Sequence, residues 1–143
     1  MFFSNILKYM FYRTYYVFWE SNKYKRIHIS KTAILNNALL NVNSWTIVIK
    51  EHVFFWHNVC ILTWTHNYNK FYGERKSFPK EGCDIIIEKW VRVWSNVTII
   101  WPCIIWKNAV IASWAVVTKN VAPYTIVWWV PAKLIKKIKK PLD

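Results

Sequence analysis

Residues 86–137 read IIEKWVRVWSNVTIIWPCIIWKNAVIASWAVVTKNVAPYTIVWWVPAKLIKK, and large aliphatic residues return in them every six positions. Ile87, Val93, Ile99, Ile105, Ile111 and Val117 form one row. Two residues earlier runs a second row of mostly smaller side chains: Ile85, Val91, Val97, Cys103, Ala109 and Ala115. Both rows recur upstream, as Ile49, Phe55 and Ile61 with Ile47, Val53 and Val59. A period of six is not helical, because 3.6 residues per turn does not divide it evenly. It fits a short strand with alternating side chains, then a corner, then the next short strand. No single unit of this kind has a core, so neighbouring coils must stack to supply one. The expected fold is therefore all-β, a stack of coils over residues 27–130.

The corners are where the sequence disagrees with itself. The chain holds 11 Trp and only 2 Gly, Gly73 and Gly82, whereas glycine makes up about 7% of ordinary proteins. Trp56, Trp94 and Trp106 each follow a large row residue directly. Tight corners favour glycine, which alone reaches positive φ cheaply and lets backbones approach closely. A bulky residue in that conformation is an outlier, and such local conflict argues against foldability. Tryptophan is thus expected to stand where the repeat requires glycine. The simplest source is a genetic code in which UGA specifies glycine, read out as tryptophan.

At 143 residues the chain is one domain by length, large enough for a substantial core. Its formal net charge is +13, from 20 Lys and Arg against 7 Asp and Glu. Such an excess favours anionic partners, although much of it lies near the two ends. No RNP-like, helix-turn-helix or zinc-knuckle pattern accompanies the charge, so no nucleic-acid partner is expected. Cys60, Cys83 and Cys103 are odd in number, widely spaced and form no CxxC pair. That argues against a disulfide framework and a zinc site, and points to a reducing cytoplasm.

Three segments depart from the repeat. Residues 1–26 are basic and aromatic, but Asn5, Lys8 and Arg13 break the run of ~20 apolar residues that a membrane span needs. No small-residue cleavage site marks a signal peptide. The segment is expected to cap the stack, with a basic aromatic stretch resting on a membrane surface as the alternative. Residues 62–84 form a polar, aromatic loop, and a loop longer than about 12–15 residues in a compact domain is usually functional. The spacing also slips over residues 41–45. Residues 131–143 begin at Pro131, with Leu134, Ile135 and Ile138 on one face and lysines on the other. This predicts a short helix that caps the open end of the stack.

With glycine read for tryptophan, residues 116–133 (VVTKNVAPYTIVWWVPAK) form a compound motif, and residues 30–140 resemble the hexapeptide-repeat acyltransferases. The maltose, galactoside and polysaccharide O-acetyltransferases are the nearest in pattern. The resemblance implies a left-handed parallel β-helix of triangular section, with three hexapeptides per coil. It implies acetyl transfer from acetyl-CoA to a hydroxyl, by a homotrimer whose active sites lie between neighbouring subunits. Cyclic symmetry suits prisms that pack side to side.

The family's catalytic histidine stands in a Thr-Gly-His context. Residues 63–67 read TWTHN, so His66 is the match. A lone loop histidine is more often merely solvated; the motif and the long loop favour catalysis. An alcohol is a weak nucleophile, and an imidazole can take its proton during attack on the thioester. For coenzyme A, the resemblance implies Ser95 and Ser113 near the pantetheine, and Thr118 and Lys119 in the VTK element. Lys133 and Lys136 match basic positions in the tail, where they could equally solvate a cap. Asn37 and Asn41 on the coils, and Tyr68 and Arg75 in the loop, are the acceptor candidates. His52 and His57 show an H-x4-H spacing, as in zinc-binding β-helices, but only His28 could be a third ligand. The accompanying acid and glutamine pattern is missing, so no metal is expected. As literal indoles, Trp64, Trp94, Trp106 and Trp114 would obstruct the base and the coenzyme track.

The sequence thus predicts a cytoplasmic O-acetyltransferase acting on a sugar or surface-polysaccharide intermediate, with His66 as general base. The alternatives are a non-catalytic β-helix scaffold and an N-acyltransferase for an amino or nucleotide sugar.

Overall fold

The computed structural model describes residues 15–18, 26–42, 45–63, 66, 69–77, 84–100 and 102–141. In chain order its strands are β1 (Tyr15–Phe18), β2 (Ile27–Ile29), β3 (Ala38–Asn41), β4 (Ile47–Ile49), β5 (Phe54–Phe55), β6 (Cys60–Leu62) and β7 (Ile85–Ile87). They continue as β8 (Arg92–Val93), β9 (Thr98–Ile100), β10 (Cys103–Ile105), β11 (Val110–Ile111), β12 (Val116–Val117), β13 (Thr125–Trp128) and β14 (Lys133–Lys137).

The strands sort into three sheets that form the faces of a prism. Face I orders β10-β7-β4-β2, face II β14-β13-β11-β8-β5, and face III β1-β3-β6-β9-β12. Among the described residues every strand pairing is parallel except β13 with β14. In the regular part Ile87 pairs with Ile105, Val93 with Ile111 and Ile99 with Val117, each eighteen residues on. One coil is therefore three hexapeptides. Ile49 pairs with Ile87, so that coil carries a twenty-residue insertion, the loop 62–84. Ile29 pairs with Ile49, twenty residues on, which reflects the slip over residues 41–45.

Each inward position predicted from the two six-residue rows is at most 1% exposed, from Ile47 to Val117. Burying an aliphatic side chain of this size is worth about 1.5–3 kcal/mol. The stacked rows therefore supply the core that one coil lacks.

The corners are left-handed, as short strands joined by tight turns require. Positive φ occurs at His52, Asn58, Trp90, Asn96, Asn108, Trp114 and Tyr124, each immediately before an inward residue. Trp90 (φ 64), Trp114 (φ 67) and Trp129 (φ 91) are the described tryptophans in this region. There glycine is the residue the backbone asks for. Trp56, Trp94 and Trp106 instead sit outside the left-handed region and project outward, 42–50% exposed. Trp45 buries its indole Nε1 with no hydrogen-bond partner among the described residues, which costs about 1–3 kcal/mol.

The C-terminus corrects one expectation. Residues 133–137 form β14, antiparallel to β13, instead of a capping helix. The physical reason is the free edge of β13. An isolated helix this short is marginal in water, whereas pairing satisfies the backbone groups of an open sheet edge. Lysines along β14 then blunt the new edge. Among the described residues no helix is long and apolar enough to cross a membrane. Apart from β1 and Arg26, the segment 1–26 lies outside the described residues.

Candidate functional site

The third corner of the prism, between faces III and I, gathers the irregular parts of the chain. Here β3 leads through the slip to β4, and β6 leads into the long loop that returns at β7. Thr63 follows β6, is fully buried, and donates its hydroxyl to the Asn41 carbonyl at 2.8 Å. Its N–H donates to the same oxygen at 3.2 Å. His66 comes three residues later and is exposed. The loop then makes a single 3-10 turn over Tyr72–Lys76. Arg75 is exposed on that turn, and Lys70 pairs with Glu74 at 3.6 Å. Phe71 and Tyr72 stand 69% and 97% exposed beside them. The loop returns at Asp84, whose Oδ1 accepts the Thr46 N–H at 2.9 Å.

Above the loop, along the same corner, lies an open cavity of about 550 Å³. Ile86 and Ile104 form its apolar wall, and Asp84, Thr118, Lys119 and Asn120 its polar one. Asn120 Oδ1 accepts the Ile104 N–H at 2.7 Å and so fixes the turn that carries Thr118 and Lys119. His66, Asn41, Thr118 and Lys119 therefore share one corner.

The other expected residues lie elsewhere. Ser95 and Ser113 are half-buried on the corner between faces II and III, one coil apart, joined by the Trp114 N–H to the Ser95 carbonyl at 3.2 Å. A face of about six residues separates the two corners, roughly 15–20 Å of extended chain. Lys133 and Lys136 are exposed on β14 at the end of face II. Asn37 has both amide atoms engaged with Asn58: Nδ2 donates to Oδ1 at 2.8 Å, and Oδ1 accepts the Asn58 N–H at 2.9 Å. Asn41 is 9% exposed. Tyr68 lies outside the described residues.

His52 and His57 occupy different corners. The His52 ring stacks on Trp90 at 4.1 Å, and His57 lies beside Trp56 at 6.4 Å. Among the described residues no three His, Cys, Asp or Glu side chains cluster as metal ligands would. Burial pushes the Cys103 thiol up to about 12 and raises that of Cys60, so neither is poised as a thiolate nucleophile.

Sequence reasoning assigns no role to Asp84, Asn120 or Thr63. Asp84 carries a faint signal, a charged residue at the last position before the repeat resumes. The other two have none, because their partners are backbone groups of another coil.

Solved structures share this architecture, a left-handed parallel β-helix. A hexapeptide-repeat-containing acetyltransferase from Vibrio cholerae O1 biovar eltor, solved with acetyl coenzyme A, is 23% identical over 96% of this chain and 76% of that one, with a TM-score of 0.72. A maltose O-acetyltransferase from Clostridium difficile 630 is 24% identical over 96% and 75%, TM-score 0.63. An N-acyltransferase variant from Bacillus cereus, bound to dTDP-4-amino-4,6-dideoxyglucose and coenzyme A, is 14% identical over 96% and 90%, TM-score 0.60. At these identities the likeness is one of fold. The sequence matches no protein-family model and no curated protein.

Proposed function

We propose that the protein is an acetyltransferase that moves the acetyl group of acetyl-CoA to a hydroxyl of a sugar or surface-polysaccharide intermediate. The observation that carries this reading is the shared corner: the loop bearing His66 springs from the edge along which Thr118 and Lys119 line a cavity. His66 takes the hydroxyl proton as the oxygen attacks the thioester carbonyl. The carbon–sulfur bond then breaks, and the imidazolium returns the proton to the leaving thiolate, giving an ester and free coenzyme A. Lys119 supplies a mobile positive charge for the nucleotide phosphates, and the apolar wall of Ile86 and Ile104 suits the pantetheine chain. A cytoplasmic location follows from the need for acetyl-CoA.

Ser95 and Ser113 are too far along the coil to serve the same copy's His66. They fit an arrangement in which one copy's His66 corner meets the serine corner of the next. A homotrimer closes such a head-to-tail contact into a ring. The acceptor side falls to the exposed loop, where Arg75 can bond hydroxyls and Tyr68 belongs by sequence.

Incubating the protein with acetyl-CoA and a panel of saccharides, with free thiol as readout, tests the reading. His66→Ala is expected to lower turnover by about 10²-fold or more, and light scattering to return a trimer. A His66→Ala protein as fast as the parent would exclude the general-base role. Absence of thiol release with every acceptor would favour a scaffold. Since one β-helix of this fold is an N-acyltransferase with an amino sugar bound, the panel should include amino sugars, and preference for them would make the reaction N-acylation.

A further inference from the structure

The His66 loop stands on two feet, and both rest on one bend of the coil beneath. Thr63, at the departure, gives its hydroxyl and its N–H to the Asn41 carbonyl at 2.8 and 3.2 Å. Asp84, at the return, accepts the Thr46 N–H at 2.9 Å. Ile85 N–H then donates to the Thr46 carbonyl at 3.0 Å, so Thr46 is held on both sides of its backbone. Residues 41 and 46 delimit the slip in the repeat, the place where the coil carries extra residues. These contacts are selective. Thr63 is fully buried, and a buried hydroxyl without a partner would be costly. Asp84 uses a carboxylate on a neutral N–H, a bond stronger than its neutral counterpart.

We infer that Thr63 and Asp84 are positioning residues that staple the loop to the 41–46 bend and so set where His66 stands. Resting on the acetyl-transfer reading above, the inference adds how the base is aimed. A loop of this length would otherwise sample many positions, and displacement of a catalytic group by about 1 Å can cost 10²-fold in rate. Held at its two feet, the loop presents its exposed middle, residues 69–77, to an acceptor or a neighbouring copy. Asp84 also lines the cavity beside Thr118 and Lys119, so the same residue ties the loop to the coenzyme track.

The test pairs disruptive with conservative changes. Thr63→Val keeps the shape and removes the hydroxyl; Thr63→Ser restores it. Asp84→Ala removes the acceptor; Asp84→Asn keeps an oxygen on it. Thr63→Val and Asp84→Ala are expected to lower kcat about tenfold or more. The acetyl-CoA KM should change little in Thr63→Val, and Thr63→Ser and Asp84→Asn should recover most of the turnover. A merely structural role would lower the folded fraction without changing kcat per folded molecule. Amide hydrogen exchange over residues 69–77 reads the staple without any turnover. It should quicken in both disruptive variants while the core strands stay protected. Parental kcat in Thr63→Val and Asp84→Ala, or unchanged exchange in residues 69–77, overturns the inference. If His66→Ala alone leaves turnover intact, the catalytic reading fails, and with it the aiming of a base.

Discussion

Two columns of corner residues run up the prism and meet the same backbone demand with different chemistry. Between faces II and III stand Asn37, Asn58, Asn96 and Trp114, at φ 48, 58, 61 and 67. Between faces I and II stand His52, Trp90, Asn108 and Tyr124, at φ 59, 64, 58 and 56. In the first column the asparagines join side chain to side chain, Asn37 to Asn58 at 2.8 Å and Asn58 to Asn96 at 3.2 Å. In the second, His52 and Trp90 merely stack, 4.1 Å apart and 16° from parallel. The near-identical φ values show that the stacked coil imposes the corner. The side chain decides only what the conformation costs. Asparagine tolerates it through short polar contacts, and glycine has no Cβ to clash. Tryptophan has neither remedy.

The largest expected effect follows from that contrast. Replacing Trp90, Trp114 and Trp129 together by glycine should stabilise the protein by roughly 3 kcal/mol, at about 1 kcal/mol per relieved left-handed residue. The denaturant midpoint measures it. Trp56→Gly and Trp94→Gly provide the control, since their backbone is outside the left-handed region. Glycine there relieves no strain and adds flexibility to the unfolded chain. Equal gains at both sets would break the link between φ and stability. The intact mass of the chain made in its own source organism sharpens the same point. A mass matching thirteen glycines would place the decoding of UGA behind every misfit; a mass with eleven tryptophans would make the strained corners real.

Within the asparagine column the weight rests on the middle residue. Asn58 gives its amide to Asn96 and receives the amide of Asn37, while its own N–H bonds to Asn37 Oδ1. Asn58→Ala removes the side-chain bonds and leaves a Cβ residue at φ 58. A loss of about 2 kcal/mol is expected. Asn108→Ala, which has no such ladder partner among the hydrogen bonds described, should lose about half of that. Equal losses at the two sites would mean that the ladder adds nothing beyond the turn.

The two columns also mark how far the sequence can be read. The inward rows are legible because a strand residue points either in or out, so a six-residue count fixes both burial and the corner positions. Counting eighteen residues per coil further places Thr118 and Lys119 on the His66 corner, and Ser95 and Ser113 on another. The resemblance over residues 30–140 hides that division, because it runs straight through both. The C-terminal helix fails for a different reason: Leu134, Ile135 and Ile138 fit a helical face, and nothing local reveals that β13 has an open edge to fill. The ladder role of Asn37 is hidden in a related way. Its ladder partner lies one coil away, so its amide reads as free until the coils are stacked. Thr63 and Asp84 belong here too, since their partners are carbonyl and N–H groups that no side-chain pattern encodes.

The smallest effect separates the columns by charge. Beside the aromatic column, Lys89 lies 3.3 Å from Glu51, and Lys50 bonds Glu88 at 2.6 Å, whereas no ion pair flanks the asparagine ladder among the described residues. A backbone hydrogen bond and then Lys89 hold the Glu51 carboxyl below its ordinary value of 4.5. A depressed carboxylate stabilises the fold above its unfolded pKa, and that contribution disappears as the pH falls through the folded one. Glu51→Gln should therefore lower the melting temperature slightly near neutrality, with parent and variant converging below pH 4.5. Because the pair is half-exposed, salt should shrink the difference as well. A gap that persists undiminished in acid would assign the effect to packing against the His52–Trp90 stack, and the charge on that corner would then be incidental.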